Sequence, residues 1–237
     1  MTTVTLRRGD DLLRVWEGLG PRPALVWYGA DGRIELSGHV LANWVTKAIG
    51  HLHDEVMLAP GATVQLDLPP HWRRMVLALA SWSLGAQVVL GAADTDPEAD
   101  PAQGEVVATD HPQRHEDAED LLVLEPLSLA PQYSGELPPL ARDWAQEVRS
   151  APDRLMVTLP AWSGPAPDTS TVPTAVGADG RPLLLVDEDG LDRLPAALAV
   201  WAAGGVIIGP SAGLSHRSRR DEGLEGLGEA RPTGTGS

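Results

Sequence analysis

Apolar residues recur along this chain in two rhythms. At helical spacing, Leu12, Leu13 and Trp16 mark a short helix over residues 10–19. Leu41, Trp44, Val45, Ala48 and Leu52 mark a longer one over 38–55, with Ser37 placed to cap it. Before it, residues 24–28 and 33–36 flank Gly29-Ala-Asp-Gly32, which predicts a hairpin. Short β-branched runs at 63–68 and 87–90 enclose a helix that starts at Pro69-Pro70 and carries Trp72, Met75, Val76, Leu79 and Trp82. The same order returns as 183–186, 191–203 and 206–208. Strand, helix, strand at this length is a βαβ unit with parallel strands. Strands apolar on both faces belong in a sheet covered by helices on both sides.

The two units share a phrase. Ala78-Leu-Ala-Ser-Trp82-Ser-Leu-Gly85 and Ala197-Leu-Ala-Val-Trp201-Ala-Ala-Gly204 each end a helix on a glycine three residues after a tryptophan. Between the units, 105–108 and 121–124 read as strands, 111–120 as a polar turn or short helix, 140–149 as a helix and 154–159 as a strand. Residues 94–104 and 163–180 read as loops. The expected fold is α/β, a mainly parallel sheet flanked by helices. It forms one domain over 1–213 with two related lobes, about 1–93 and 104–209. Residues 214–237 are expected to be a disordered tail, being charged, glycine-rich and without apolar periodicity.

Composition narrows the function classes. Hydrophobic residues make up 43% of the 237, enough for a sizeable core. The net charge of −15 disfavours nucleic-acid binding and anionic membrane surfaces. No stretch is long and apolar enough to span a bilayer, and no secretory signal is read at the N-terminus. The absence of cysteine excludes disulfides and thiol catalysis and fits a cytoplasmic protein. Eight tryptophans and no phenylalanine are present; Trp44, Trp72, Trp82 and Trp201 should face the core, while Trp16, Trp144 and Trp162 stay open between core and pocket. Lys47 is the single lysine, so any step needing a lysine falls to it.

A family pattern runs through Leu36-Ser-Gly-His-Val-Leu-Ala-Asn-Trp44-Val-Thr-Lys47, then Pro60-Gly61-Ala-Thr-Val-Gln-Leu-Asp-Leu68-Pro69, then Trp82-Ser-Leu-Gly85-Ala86. Together with Trp144-Ala-Gln-Glu-Val-Arg149 and the late Ala203-Gly-Gly, the chain resembles a bacterial family of short proteins related to the N-terminal region of acyl-adenylate-forming (AMP-binding, acyl-CoA synthetase-like) enzymes. The resemblance covers most of residues 24–208 and rests on the order and spacing of its motifs. It implies an α/β fold and a chemistry of ATP-dependent carboxylate activation. The sequence departs from the family's machinery. The stretch matching the phosphate loop, 158–180, has no lysine, and its prolines remove backbone donors. The family's Tyr-Gly-x-Thr-Glu motif, ribose-binding Asp and catalytic lysine have no counterpart in these residues; Tyr133-Ser-Gly-Glu136 is an echo only.

Other constellations carry less. Gly209-Pro-Ser211-Ala-Gly213 has the spacing of a nucleophile elbow, but only His216 follows it. His111, His115 and Glu119 align as metal ligands only if helical, and a solvated acidic segment explains them without metal. His51 and His53, beside Asp54, should interact with a helix end. The expected role is therefore non-catalytic, that of a truncated acyl-CoA synthetase-like protein binding an acyl or nucleotide-like ligand or a partner protein. The alternatives are acyl-adenylating activity completed by a partner chain, and a structural or regulatory subunit. A ligand site belongs beyond the C-terminal strand ends, at Leu68, Pro69 and His71 on one side and Asp187, Glu188 and Asp189 on the other. Three carboxylates there disfavour ATP or AMP, and no cofactor or metal is expected.

Overall fold

The computed structural model describes residues 6–91, 104–115, 117–125, 127–168, 170, 176–177 and 179–224. Helix α1 spans Gly9–Leu19, started by the Asp11 carboxylate, which accepts from the Arg7 and Arg8 amides at 2.9 and 3.0 Å. Strands β1 (Pro23–Gly29) and β2 (Gly32–Ser37) pair antiparallel through a turn with Gly32 at φ 113°. Helix α2 (Gly38–Asp54) follows, with Ser37 Oγ accepting from the Val40 amide at 3.3 Å. Next come β3 (Thr63–Asp67), α3 (Trp72–Ser83) and β4 (Gln87–Leu90), then β5 (Val106–Thr109), β6 (Asp120–Val123), β7 (Arg142–Asp143) and α4 (Trp144–Glu147). The chain closes with β8 (Leu183–Leu185), α5 (Leu194–Ala202), β9 (Val206–Gly209) and α6 (His216–Asp221).

These strands form two sheets. The order in one is β2-β1-β9-β8, and in the other β4-β3-β5-β6-β7, which is parallel throughout. Both expected βαβ units form with parallel strands, β3-α3-β4 in one sheet and β8-α5-β9 in the other. The expected lobes are corrected by this pairing. Strand β1 lies beside β9 in the register Leu25↔Ile207, and β3 lies beside β5 in the register Val64↔Val106. Each sheet therefore draws strands from both sides of the expected boundary.

The period-2 alternation explains the layers. Leu25 and Trp27 of β1, Leu184 of β8 and Ile207 of β9 join one core with Val64 and Leu66 of β3, Val106 of β5 and Leu122 of β6. Helices α1, α2, α3 and α5 fill the same core, and α3 is buried along its length except at Trp82. The opposite faces carry smaller clusters: Val26, Leu183, Val206 and Ile208 on one sheet, Val107, Leu121 and Val123 on the other. Leu214 and Leu224 complete the first of these. Residues 214–224 are thus ordered where a tail was expected, because two leucines around α6 cover the outer face of β1 and β9; residues 225–237 lie outside the described residues.

Further expectations change. Residues 154–159 form no strand, and 140–149 break into β7, α4 and a 3-10 turn at Val148–Ser150. Helix α3 starts at Trp72, after Pro69-Pro70, with His71 as its N-cap. Strand β4 is an edge with Val89 and Leu90 exposed. Of the tryptophans, Trp16, Trp72, Trp144 and Trp201 are fully buried, whereas Trp44, Trp82 and Trp162 are half-buried. The loop expected at 94–104 lies almost wholly outside the described residues, and so does part of 163–180.

Candidate functional site beyond the strand ends

The N-terminus of α3 is the point where the C-terminal ends of β3 and β8 meet. Pro69 and Pro70 hold the chain extended after β3, and His71 then caps the helix, its Nδ1 accepting from the Arg73 amide at 3.1 Å. Helical geometry places Arg73 and Arg74 in the first turn, both buried. Arg74 turns toward the loop after β8. Its Nε–H donates to Asp189 Oδ2 at 2.6 Å, one Nη to Asp189 Oδ1 at 3.1 Å and to Glu188 Oε2 at 3.2 Å, and the other to the Leu68 carbonyl at 3.1 Å. Asp189 also accepts from the His71 amide at 3.2 Å. Burial opposes the Arg74 charge, but Asp189 outweighs it and holds the guanidinium pKa above its ordinary value.

Arg73 has no carboxylate within ion-pair distance among the described residues. Its Nη groups donate to the carbonyls of Glu125 (3.1 Å), Ser128 and Ala130 (both 2.9 Å). Burial, with the nearby charge of Arg149, pushes its pKa down to about 10. His71 Nε2 lies 3.1 Å from Ser128 Oγ, which donates to Asp31 Oδ1 at 3.1 Å. Because Nδ1 accepts a hydrogen bond, the neutral ring carries its proton on Nε2 and donates it to Ser128. The serine proton goes to Asp31, so this His–Ser–Asp chain is a structural tie and not an activated nucleophile. Burial, then the Arg73 charge, pushes the His71 pKa down to about 4.

Leu68, Pro69 and His71 line one crevice, and Glu188 and Asp189 reach it through Arg74. Asp187 is not among the lining residues; it accepts from Ser211 Oγ at 2.6 Å. Sequence reading missed Arg73 and Arg74, which fill the crevice; their one signal was a basic pair in an otherwise apolar helix. The space left between Leu68, Pro69, His71, Arg73, Arg74 and Leu124 is about 10 Å³, room for one water.

Other candidate groups are spent locally. Lys47 Nζ donates to the carbonyls of Ala151 and Arg149, the latter at 3.2 Å. Ser211 is held by Asp187, and His216 begins α6. His115 is buried against Asp67 at 2.6 Å, His111 is exposed, and Glu119 lies at the opposite end of β6; among the described residues no group of three could hold a metal. His51 points inward to Glu147 at 3.0 Å, unlike His53, which pairs with Asp54 at 2.6 Å. No helix among the described residues is long and apolar enough to cross a membrane.

No protein-family model matches the chain. A Mycobacterium tuberculosis protein described as a TIGR03089 family protein is 36% identical over 99 residues, 40% of this chain and 40% of that protein. Among solved structures, the inhibitor-bound N-terminal domain of FACL13 from Mycobacterium tuberculosis has a TM-score of 0.56 at 17% identity, covering 85% of this chain and 56% of that one. An acyl-CoA synthetase from Brucella canis has a TM-score of 0.52 at 17% identity, covering 66% and 30%. The N-terminal subdomain of Klebsiella oxytoca NpsA with 3-hydroxybenzoyl-AMSN has a TM-score of 0.51 at 12% identity, covering 86% and 53%. The fold is that of the N-terminal domains of acyl-CoA synthetases and related adenylate-forming enzymes. The chain spans about half the length of the solved N-terminal domains and 40% of the curated relative.

Proposed function

We propose that this chain is a non-catalytic protein of acyl-CoA synthetase-like fold that engages a partner polypeptide through the rim of the crevice formed by Leu68, Pro69 and His71 with Asp187, Glu188 and Asp189. One observation carries the reading: the guanidinium that stands at the strand ends, Arg74, is already neutralised by Asp189 and Glu188, in a crevice with room for one water. Stabilising a departing pyrophosphate needs preorganised positive charge, and its lack costs several kcal/mol of transition-state energy. Lys47 is turned to backbone carbonyls and does not supply that charge. An acyl or nucleotide-like ligand would have to displace this network, which favours the partner over the ligand, and ATP and AMP are not part of this reading. A cytoplasmic setting is, on the cysteine-free composition.

ATP–pyrophosphate exchange over a panel of carboxylic acids tests it. No exchange above the protein-free blank is expected, and no thermal stabilisation by ATP–magnesium, AMP or CoA. Saturable stabilisation by ATP–magnesium, or exchange by the chain alone, overturns it. One second reading is a ligase whose cationic groups another polypeptide supplies, since Lys47 and Arg74 are already committed within this chain. In that case exchange appears only when a co-purifying chain is present.

A further inference from the structure

Residues 214–224 lie on the outer face of the β2-β1-β9-β8 sheet, away from the helices that fill the main core. Val26, Leu183, Val206 and Ile208 form that face, with Tyr28 and Leu185 partly buried against them. None of the six belongs to the main core. Leu214 and Leu224 cover the face from either end of α6, which itself buries no residue. A six-residue helix does not hold its own shape in water, so the segment is ordered by what it sits on. One carboxylate ties it to the hairpin: Glu222 Oε1 accepts from the Tyr28 hydroxyl at 2.6 Å and from Arg33 Nε at 2.9 Å. The connection from β9 is fixed more firmly. Ser211 N–H donates to the Val186 carbonyl at 2.9 Å. Gly213 runs so close to β1 that a Cβ there would stand 2.3 Å from the Tyr28 carbonyl oxygen. The chain is thus part of the sheet as far as Gly213, and beyond it two leucines and Glu222 seat the segment.

We propose that this sheet face is a binding surface for a polypeptide segment, and that residues 214–224 occupy it in cis as a detachable strap. The segment it fits carries leucines at both ends of a short helix and a carboxylate beside the second. Each part of the surface selects for that chemistry. The apolar face takes the leucines, and Arg33 with the Tyr28 hydroxyl takes the carboxylate through charge-assisted hydrogen bonds. Lifting the strap leaves the main core untouched, because the two clusters have no residue in common. A segment from another chain competes with a tethered strap at high effective concentration, so it binds only where the strap has lifted. The surface shares no residue with the crevice at the start of α3.

Amide hydrogen exchange of the full chain, followed by mass spectrometry, tests the strap. Residues 214–224 are expected to exchange about tenfold or more faster than β1 and β9, by an opening short of global unfolding. Exchange of strap and β9 at one shared rate overturns the proposal. Peptide binding tests the surface. The full-length variant Leu214→Ser/Leu224→Ser frees the face and should keep its near-ultraviolet tryptophan signal, since no tryptophan belongs to this cluster. It is expected to bind a synthetic peptide of residues 213–224 saturably and one to one, and the unaltered chain to bind it about tenfold or more weakly. Peptides carrying Leu224→Ser or Glu222→Gln should lose about tenfold in affinity. A peptide carrying Arg217→Gln, at a side chain 90% exposed, should change by about twofold or less. Loss of the near-ultraviolet signal in the chain variant makes the segment part of the core and overturns the proposal. So does unsaturable peptide binding, or equal affinity of the Leu224→Ser and Arg217→Gln peptides.

Discussion

Asp189 shows how much one side chain decides. It is fully buried, and its charge exists to answer Arg74, which is almost as buried. Replacing one member of such a pair strands the other, so Asp189→Asn is expected to cost about 3–5 kcal/mol. Arg74→Met with Asp189→Leu should recover most of that loss, because the one carboxylate left without Arg74, Glu188, is exposed to water. Urea unfolding of the three chains checks both outcomes. His71 sets a pH dependence. Unfolded, the ring titrates near 6.5; folded, it titrates at about 4, because burial and Arg73 oppose its charge. Between those values the unfolded chain binds a proton that the fold refuses. Stability is therefore complete above about pH 6.5 and falls as pH drops toward 4, by about 3 kcal/mol across the window. His71→Asn keeps a capping oxygen but cannot titrate. Urea midpoints at several pH values should show that slope reduced in the variant; an unchanged slope refutes the assignment.

The doubled tryptophan–glycine phrase is settled at the scale of the element. Gly85 N–H donates to the Trp82 carbonyl at 3.1 Å and Ala86 N–H to Ser81 at 3.1 Å; Gly204 N–H donates to Trp201 at 2.9 Å and Gly205 N–H to Val200 at 2.8 Å. Both glycines have positive φ, 79° and 81°, as this helix stop requires. The backbone is repeated; the surroundings are not. Trp201 is buried, donates to the Ala24 carbonyl at 2.8 Å and meets Trp16 edge-on, whereas half-buried Trp82 faces Trp162. A Cβ at Gly204 meets nothing within 4 Å, and one at Gly85 meets Pro160 at 3.1 Å and Pro60 at 3.3 Å. Gly204→Ala should therefore cost only the left-handed backbone, about 1 kcal/mol. Gly85→Ala should cost more, and denaturant unfolding of the pair reads the difference.

For the whole molecule the test is whether its two sheets share one folding unit. One core runs from β1 and β9 through the helices to β3 and β5. Residues 1–93 alone lose both β9 and β5 as partners, and with them the burial of Leu25 and Val64. That fragment is expected to be unfolded by near-ultraviolet circular dichroism and amide dispersion, while the full chain melts in one transition. A folded fragment would restore the two-lobe division. Alternation and capping residues made the hairpin, α2 and both βαβ units legible in the sequence, since their causes are local. The strand expected at 154–159 failed because its apolar residues find no neighbouring strand, and β4 is exposed because nothing among the described residues pairs with its outer edge.

By itself, then, the sequence determined where α2 is capped, where the two tryptophan–glycine helices stop and which segments alternate as strands in the two βαβ units, because these depend on periodicity and on hydrogen bonds a few residues long. Only the tertiary structure decided that Arg74 meets Asp189 across more than a hundred residues and that the pair fills the crevice. Those juxtapositions follow from which strands lie side by side in two sheets packed on common helices, and no local pattern records that choice.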